Sequence, residues 1–160
     1  IDICWDLSHP LPLKSDSLSG IYSSHCLEHL DIGDGLNLLR ECKRLLGKGG
    51  VLRLVLPDPN FYIGTYMKKR SEPSKYRFPG EAEHQRIFPI YTPMMSLNRI
   101  FGACGGTHKC MYDYELLEKA LDKAGFDSIS QQSFMEGNDA TLLIDLKERS
   151  HESFYTEAIA

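Results

Sequence analysis

The sequence predicts an α/β fold: a doubly wound, mostly parallel sheet that ends in a C-terminal antiparallel hairpin. Three observations support this prediction. Short apolar segments alternate with helical patterns along the chain. Residues 51–57 (VLRLVLP) are almost continuously apolar, as in a parallel strand covered on both faces. Near the end, two strand patterns at 128–134 and 140–146 are separated by a turn signal at 136–138.

The amino-acid composition limits the binding partners and the cellular compartment that we expect for this protein. The chain has 160 residues, 42% of them hydrophobic, which is enough apolar material for one domain with a real core. A formal net charge of −4 argues against nucleic acid as a partner. No apolar run approaches the roughly 20 residues of a membrane span, so we expect no membrane partner. Five cysteines without a CxxC pair favour a reducing, cytoplasmic setting.

The first half of the chain begins inside a strand pattern at residues 1–6 (IDICWD), and it begins without Met, so we expect further residues upstream. A turn-rich stretch and a second strand at 20–24 follow. Asp34 is the predicted N-cap of a helix with leucines at helical spacing. Gly47 is predicted to end that helix before the strand at 51–57.

Asp58 is predicted to cap a helix that runs to Arg70. Residues 71–110 are the least regular part, with four prolines and one plausible helix around 92–101. Asp113 and Gly125 then bracket a strongly periodic helix. The polar tail that begins at residue 148 is expected to be frayed or docked.

Several short strings in order resemble one enzyme family. They are DICWDLSHPLPLKSDSLSGIYSSHCLEHL, LLRECKRLLGKGGVLRLVLPD, HKCMYDYELL at 108–117 and AGF at 124–126. Their order and spacing resemble the class I S-adenosylmethionine (SAM)-dependent methyltransferases, over residues 1–69 and 107–146. This resemblance implies a Rossmann-like fold with SAM as cofactor and S-adenosylhomocysteine as product.

The resemblance also sets the expected domain boundaries. Residues 1–147 would form a partial class I methyltransferase domain, with a substrate-selecting lid at about 71–110, and residues 148–160 would form a C-terminal tail. Such families place a GxGxG-type loop after the first strand and an acidic residue at the end of the second. Neither is found in this sequence, so we expect the first strands to be missing and the chain to start at the family's third strand.

The predicted cofactor site lies at the carboxyl ends of the strands, where open α/β sheets bind ligands. By resemblance, Asp6 would face the adenine amino group and Leu7 its ring, while Ser24 and His25 would lie near the methionine portion. Asp6 could instead form a local turn, and Ser24 could satisfy nearby backbone groups. The predicted cofactor-binding residues are Asp6, Leu7, Ser23, Ser24, His25 and Leu27.

Methyl transfer from a sulfonium needs mainly close positioning, and a base where the acceptor must lose a proton. His25 is the first candidate for that base, and His108 is the second. His25 could equally only line or gate the pocket. The predicted substrate-binding residues are His84, Lys109 and Tyr112. Glu28 and His29 are interpreted as mainly structural.

Two further patterns have alternative interpretations. His84, Cys104, His108 and Cys110 could form a zinc site, but their spacing matches no standard ligand pair, so no metal is predicted. The basic segment 68–77 (KKRSEPSKYR) could attract an acidic substrate, or it could be a solvated helix end.

The sequence thus predicts a methyltransferase acting on an unidentified small-molecule or glycan-type acceptor. Two alternatives remain: a non-catalytic binding or assembly module that keeps the fold, and a nicotinamide-dependent Rossmann enzyme. A sheet without its first strands would have an exposed edge, which could pair with a second copy to form a homo-oligomer.

Overall fold

A computed structural model describes residues 3–160 and shows a four-stranded sheet with helices on its face and at its end. The strand order is β1-β2-β4-β3. The strands are β1 (Leu18–Ser24), β2 (Leu46–Pro57), β3 (Ser128–Gln132) and β4 (Ser153–Ile159). The helices are α1 (Ile32–Leu45), α2 (Pro59–Ser71), α3 (Glu81–Ile87), α4 (Pro93–Ile100) and α5 (Tyr114–Ala124).

Helix α1 connects the one parallel pair of described strands, β1 and β2. Its N-cap is Asp31, whose carboxylate accepts the backbone N–H groups of Gly33 and Asp34. The prediction of Asp34 as N-cap is therefore wrong, because Asp31 already satisfies the first free N–H groups. The helix ends at Leu45 rather than at Gly47, since Leu46 is already extended and begins β2.

The main core lies on the face of the sheet covered by α1 and α5. Both helices are amphipathic and turn leucines towards the sheet. Asp58 and Asp113 cap α2 and α5 as predicted, and Gly125 ends α5 in the left-handed conformation. The buried cluster contains Leu38, Leu39, Leu52, Leu54, Leu56, Leu117, Leu121, Phe126, Phe154 and Ala158.

Strand β4 corrects the predicted end of the domain. Residues 153–159 form a buried strand between β2 and β3, antiparallel to both, so the prediction of a separate tail over 148–160 is wrong. Residues 140–146 do not form the predicted hairpin strand; only Ala140–Leu142 is regular, as a short 3₁₀ helix. The predicted C-terminal hairpin is thus built from β3 and β4, with a long connection between them.

That connection is held on the second face of the sheet by a buried ion cluster. Arg53 of β2 is fully buried and donates to the carboxylates of Asp145 and Glu157. It also donates to the main-chain oxygens of Ser133 and Glu136. One guanidinium therefore joins the central strands to the connection, and its hydrogen bonds use most of its five N–H groups.

The first predicted strand is not formed in the described part of the chain. Residues 3–6 are irregular, and Ile3 and Trp5 are about half exposed; Ile1 and Asp2 lie outside the described residues. In the Rossmann strand order 3-2-1-4-5-6, the family's third strand is separated from the fourth by the second and the first. Residues 3–160 form neither the first nor the second strand, so residues 3–6 have no neighbouring strand with which to pair.

The segment between α2 and α5 is more helical than predicted, because α3 is an additional helix. Lys69 of α2 is buried, forms an ion pair with Glu81 of α3 at 2.8 Å, and donates to the main-chain oxygens of Pro73 and Tyr76. Part of the basic segment therefore holds this helical region together. Among residues 3–160, no helix is long and apolar enough to cross a membrane.

We expect Arg53→Met to lower the free energy of unfolding by about 3–5 kcal/mol, because it leaves the carboxylates of Asp145 and Glu157 buried without their cation. Urea denaturation measures this loss. Lys119→Met is the matched control, since Lys119 pairs with Glu115 on an exposed helix face. It should change stability far less. Similar losses in the two variants would contradict the assignment of Arg53 as a structural centre.

Candidate active site

The candidate site lies where β1 and β2 end and β4 begins. His25 directly follows β1 in a left-handed conformation (φ 49°), and its N–H donates to the main-chain oxygen of Val55 at 2.9 Å. This turn leads into a short 3₁₀ helix, Leu27–His29. Because β4 runs antiparallel to β2, Ser153 pairs with Pro57 and lies at the same end of the sheet.

His25 is held on both sides of its ring. Its Nε2 lies 2.8 Å from Ser153 Oγ, while Nδ1 lies 3.5 Å from an Arg149 nitrogen and 3.6 Å from Glu28 Oε1. Burial, helped by the charge of Arg149, lowers the pKa of His25 to about 4. The ring is therefore neutral at neutral pH, and its contact with Glu28 is not an ion pair there.

Glu28 is the most unusual side chain at this site. It is 1% exposed, and neither carboxylate oxygen has a hydrogen-bond partner. Burial raises its pKa. The rings of His29 and His108 lie next to it and pack edge to face, with centroids 4.9 Å apart. A buried acid and three histidines therefore share one small volume.

A cavity of about 270 Å³ opens beside these groups, and we call it the insert cavity because residues 62–108 form most of its wall. Polar and charged groups line it: His84, Arg99, His108, Arg149 and Glu152. His84 is buried and its Nδ1 lies 2.8 Å from Ser96 Oγ. Glu152 is fixed by Tyr62, whose hydroxyl donates to it at 2.9 Å. The cavity suits a polar ligand.

A second cavity of about 380 Å³ runs along the free side of β1, and we call it the edge cavity. Its walls are mainly leucines and other apolar side chains, with the two serines at the end of β1 among them. Leu7, Ser23 and Ser24 all line it, so three of the six predicted cofactor residues come together here.

The other three predicted cofactor residues are placed differently. Asp6 is exposed, and its carboxylate accepts the N–H and the hydroxyl of Ser8, as in a local turn. Leu27 is buried in the core. His25 itself lines neither cavity, but its chain neighbours Ser24 and Cys26 line the edge cavity, and its contact Arg149 lines the insert cavity.

The predicted substrate residues also separate. His84 and the second candidate base, His108, both line the insert cavity. Lys109 is exposed, and its backbone N–H donates to the main-chain oxygen of Glu28. Tyr112 is 1% exposed and belongs to the core, where its ring packs against Leu27 and α1; it offers no surface to a substrate. That placement argues against a substrate contact for Tyr112.

Sequence reasoning missed Arg149, Glu152 and Tyr62 as residues of this site. Arg149 and Glu152 fall in the polar segment before β4, where no motif distinguishes them from surface charges. The alternative zinc quartet is not assembled. In the described chain, His108 groups with Glu28 and His29, while Cys104 is exposed and free.

Comparisons with known proteins identify similar folds and one matching family model. Residues 3–54 match the family model described as a methyltransferase domain. No curated protein sequence matches the chain. Three similar solved structures are SAM-dependent methyltransferases. The Thermotoga maritima protein is 16% identical, with 96% of this chain and 60% of that chain covered and a TM-score of 0.55. The Archaeoglobus fulgidus protein is 18% identical, with 92% of this chain and 62% of that chain covered and a TM-score of 0.52. The Mesorhizobium loti protein is 20% identical, with 98% of this chain and 67% of that chain covered and a TM-score of 0.54.

The chain therefore has the fold of SAM-dependent methyltransferases over its described length, and residues 3–54 also match the model of a methyltransferase domain. The predicted Rossmann-like α/β class is confirmed. Among the described strands one pairing is parallel and two are antiparallel, because β4 enters reversed. The chain spans about 60% of the length of the Thermotoga and Archaeoglobus proteins.

We expect Gly102→Ala to lower the free energy of unfolding by about 1–3 kcal/mol. Gly102 has φ 84°, and a Cβ there would overlap the main-chain oxygen of His108. Gly64→Ala in α2 is the control: its Cβ meets open space, and alanine favours the helix, so stability should rise by about 0.5–1 kcal/mol. Chemical denaturation measures both. A neutral Gly102→Ala would contradict this packing of the His108 loop.

Proposed function

We propose that this domain transfers a methyl group from SAM to a small-molecule or glycan-type acceptor. The observation that carries the proposal is that His25 lies beside residues of both cavities: Ser24 of the edge cavity precedes it, and Arg149 of the insert cavity contacts it. The apolar edge cavity contains Leu7, Ser23 and Ser24, and the polar insert cavity contains His84 and His108. Methyl transfer requires a donor site and an acceptor site close to each other, and residues of both cavities lie beside this one imidazole.

The edge cavity fits part of the cofactor. A volume of about 380 Å³ lies within the range of roughly 300–1,000 Å³ that is usual for ligand pockets. Leu7 supplies an apolar wall for the adenine ring, and the hydroxyls of Ser23 and Ser24 can hydrogen-bond the methionine portion. The GxGxG loop and the ribose-binding carboxylate of the family are not among residues 1–160.

Bound SAM supplies an activated methyl group on a sulfonium with a neutral leaving group. The residues of this chain position the acceptor and handle its proton. Arg149 approaches His25 Nδ1 as a donor, so Nδ1 carries the lone pair and Nε2–H donates to Ser153. Nδ1 can therefore accept the proton that an acceptor hydroxyl loses.

The environment of His25 has two opposing effects on this role. Its lowered pKa keeps the ring neutral and ready to accept a proton, but it also weakens the base. The carboxyl group of Glu28, 3.6 Å from Nδ1, can offset this when ionised, because it would stabilise the imidazolium that forms. His25 would then act with Glu28 as a pair.

The insert cavity suggests the class of acceptor. Arg99 and Arg149 provide cationic donors, Glu152 provides an acceptor, and His84 adds an imidazole. A ligand with several hydroxyl groups or a negative charge matches such a wall better than an apolar ligand. These contacts support a glycan-type or anionic small molecule. The five free cysteines support a reducing, cytoplasmic setting as part of the same proposal.

A non-catalytic module with the same fold, or a nicotinamide-dependent enzyme, would use the edge cavity differently. We expect calorimetric titration of the complete protein to show saturable binding of SAM and S-adenosylhomocysteine, and none of NAD. Binding of NAD in place of SAM would support the nicotinamide alternative. No heat and no thermal shift with any of the three would overturn the methyltransferase proposal and favour the module.

We expect His25→Gln to lower kcat for methyl transfer by about 10²–10⁴-fold while SAM affinity changes little, because the variant loses the proton acceptor. Isotope-labelled SAM with the acceptor that supports turnover measures the rate. His9→Gln is the control, since His9 is exposed and lines neither the edge cavity nor the insert cavity. An unchanged kcat in His25→Gln would remove His25 as the base.

A further inference from the structure

Glu28 has a chemical requirement that its surroundings do not meet. Its side chain is almost completely buried, and both carboxylate oxygens are without a hydrogen-bond partner. A buried carboxylate is usually paired or bound to a metal, because an isolated buried charge is costly. His25 Nδ1 lies 3.6 Å from Glu28, but both ring nitrogens of His25 already contact Ser153 or Arg149. His29 and His108 are therefore the neighbours that can share a metal ion with Glu28.

His29 and His108 are both oriented by main-chain carbonyls. His29 Nδ1 lies 3.2 Å from the oxygen of Thr107, and His108 Nδ1 lies 2.7 Å from the oxygen of Ile100. In each neutral ring Nδ1 is then the N–H donor, and Nε2 carries a lone pair. A carbonyl that fixes the tautomer through one nitrogen while the other is free is the usual arrangement around metal-binding histidines.

We propose that Glu28, His29 and His108 bind one divalent transition-metal ion of the zinc class. Their ligand atoms all lie within 4.8 Å of one another. A tetrahedral zinc site places such atoms about 3.3 Å apart, so binding requires a contraction of about 1.5 Å or less. Side-chain rotation can supply it, because the His29 side chain is 40% exposed.

The three ligand types favour zinc, and the position of His108 places the ion next to the insert cavity. Two imidazoles and one carboxylate suit zinc, whereas Mg²⁺ prefers oxygen ligands and retains its waters. Three protein ligands leave one tetrahedral position for water or another oxygen. Because His108 also lines the insert cavity, the ion would lie at the wall of that cavity, where it could hold an acceptor oxygen.

The test is a Zn²⁺ titration of the chelator-treated full chain, followed by calorimetry and by metal analysis after dialysis. We expect one Zn²⁺ per chain, a raised melting temperature, and no competition from Mg²⁺. Glu28→Gln keeps the size of the side chain and removes its charge, and His29→Gln changes a partly exposed ligand. Each should weaken Zn²⁺ binding by at least about tenfold.

His151→Gln is the matched control, because His151 is exposed and lies outside the three-residue group. It should bind Zn²⁺ as the wild type does. Absence of a saturable site in the wild type would overturn the proposal, and so would unchanged affinity in His29→Gln or equal losses in all three variants. Circular dichroism checks that each variant folds. The titration contains no SAM, so its result is independent of the methyltransferase proposal.

Discussion

The structure depends on the position of its last strand. β4 lies between β2 and β3 and pairs with both along almost its whole length. It completes the apolar face through Phe154 and Ala158. The residues that lead into it, Arg149 and Glu152, form one wall of the insert cavity, and its first residue, Ser153, contacts His25. The end of the chain therefore builds both the sheet and the candidate site.

The register of β4 is set by a charged pair as well as by packing. Glu157 lies opposite Arg53 on β2, on the face away from the main core. A slip of one residue would move Glu157 to the apolar face and leave Arg53 facing a different side chain. The same slip would move Ser153 away from His25. A buried interaction in the sheet thus also positions the site.

Local signals predicted the elements that local physics determines. The caps Asp58 and Asp113 and the ending at Gly125 hold, because each satisfies backbone groups of its own helix. β4 could not be predicted from the sequence, because Glu157 gives it a polar appearance that only the distant partners Arg53 and Asn138 explain. Residues 140–146 look like a strand, yet Asp145 is held by Arg53 from across the sheet.

The candidate site likewise has some features that follow from local sequence and others that depend on contacts between distant segments. Ser23 and Ser24, predicted from their position at a strand end, line one cavity, and His84 and His108, predicted from the irregular region, line the other. Sequence could not show that Tyr112 turns into the core, or that Glu28 is buried without a partner, because both depend on packing between distant segments. The resemblance predicted a cofactor side of the domain, and three-dimensional contacts were needed to propose an acceptor side.

In the proposed reaction the edge cavity receives the cofactor and the insert cavity receives the acceptor. A crystal structure of the protein with S-adenosylhomocysteine tests this arrangement. We expect the adenine ring against Leu7 and the homocysteine portion beside Ser23 and Ser24, with its sulfur directed towards His25. A ligand bound in the insert cavity, or away from the carboxyl end of β1, would contradict it.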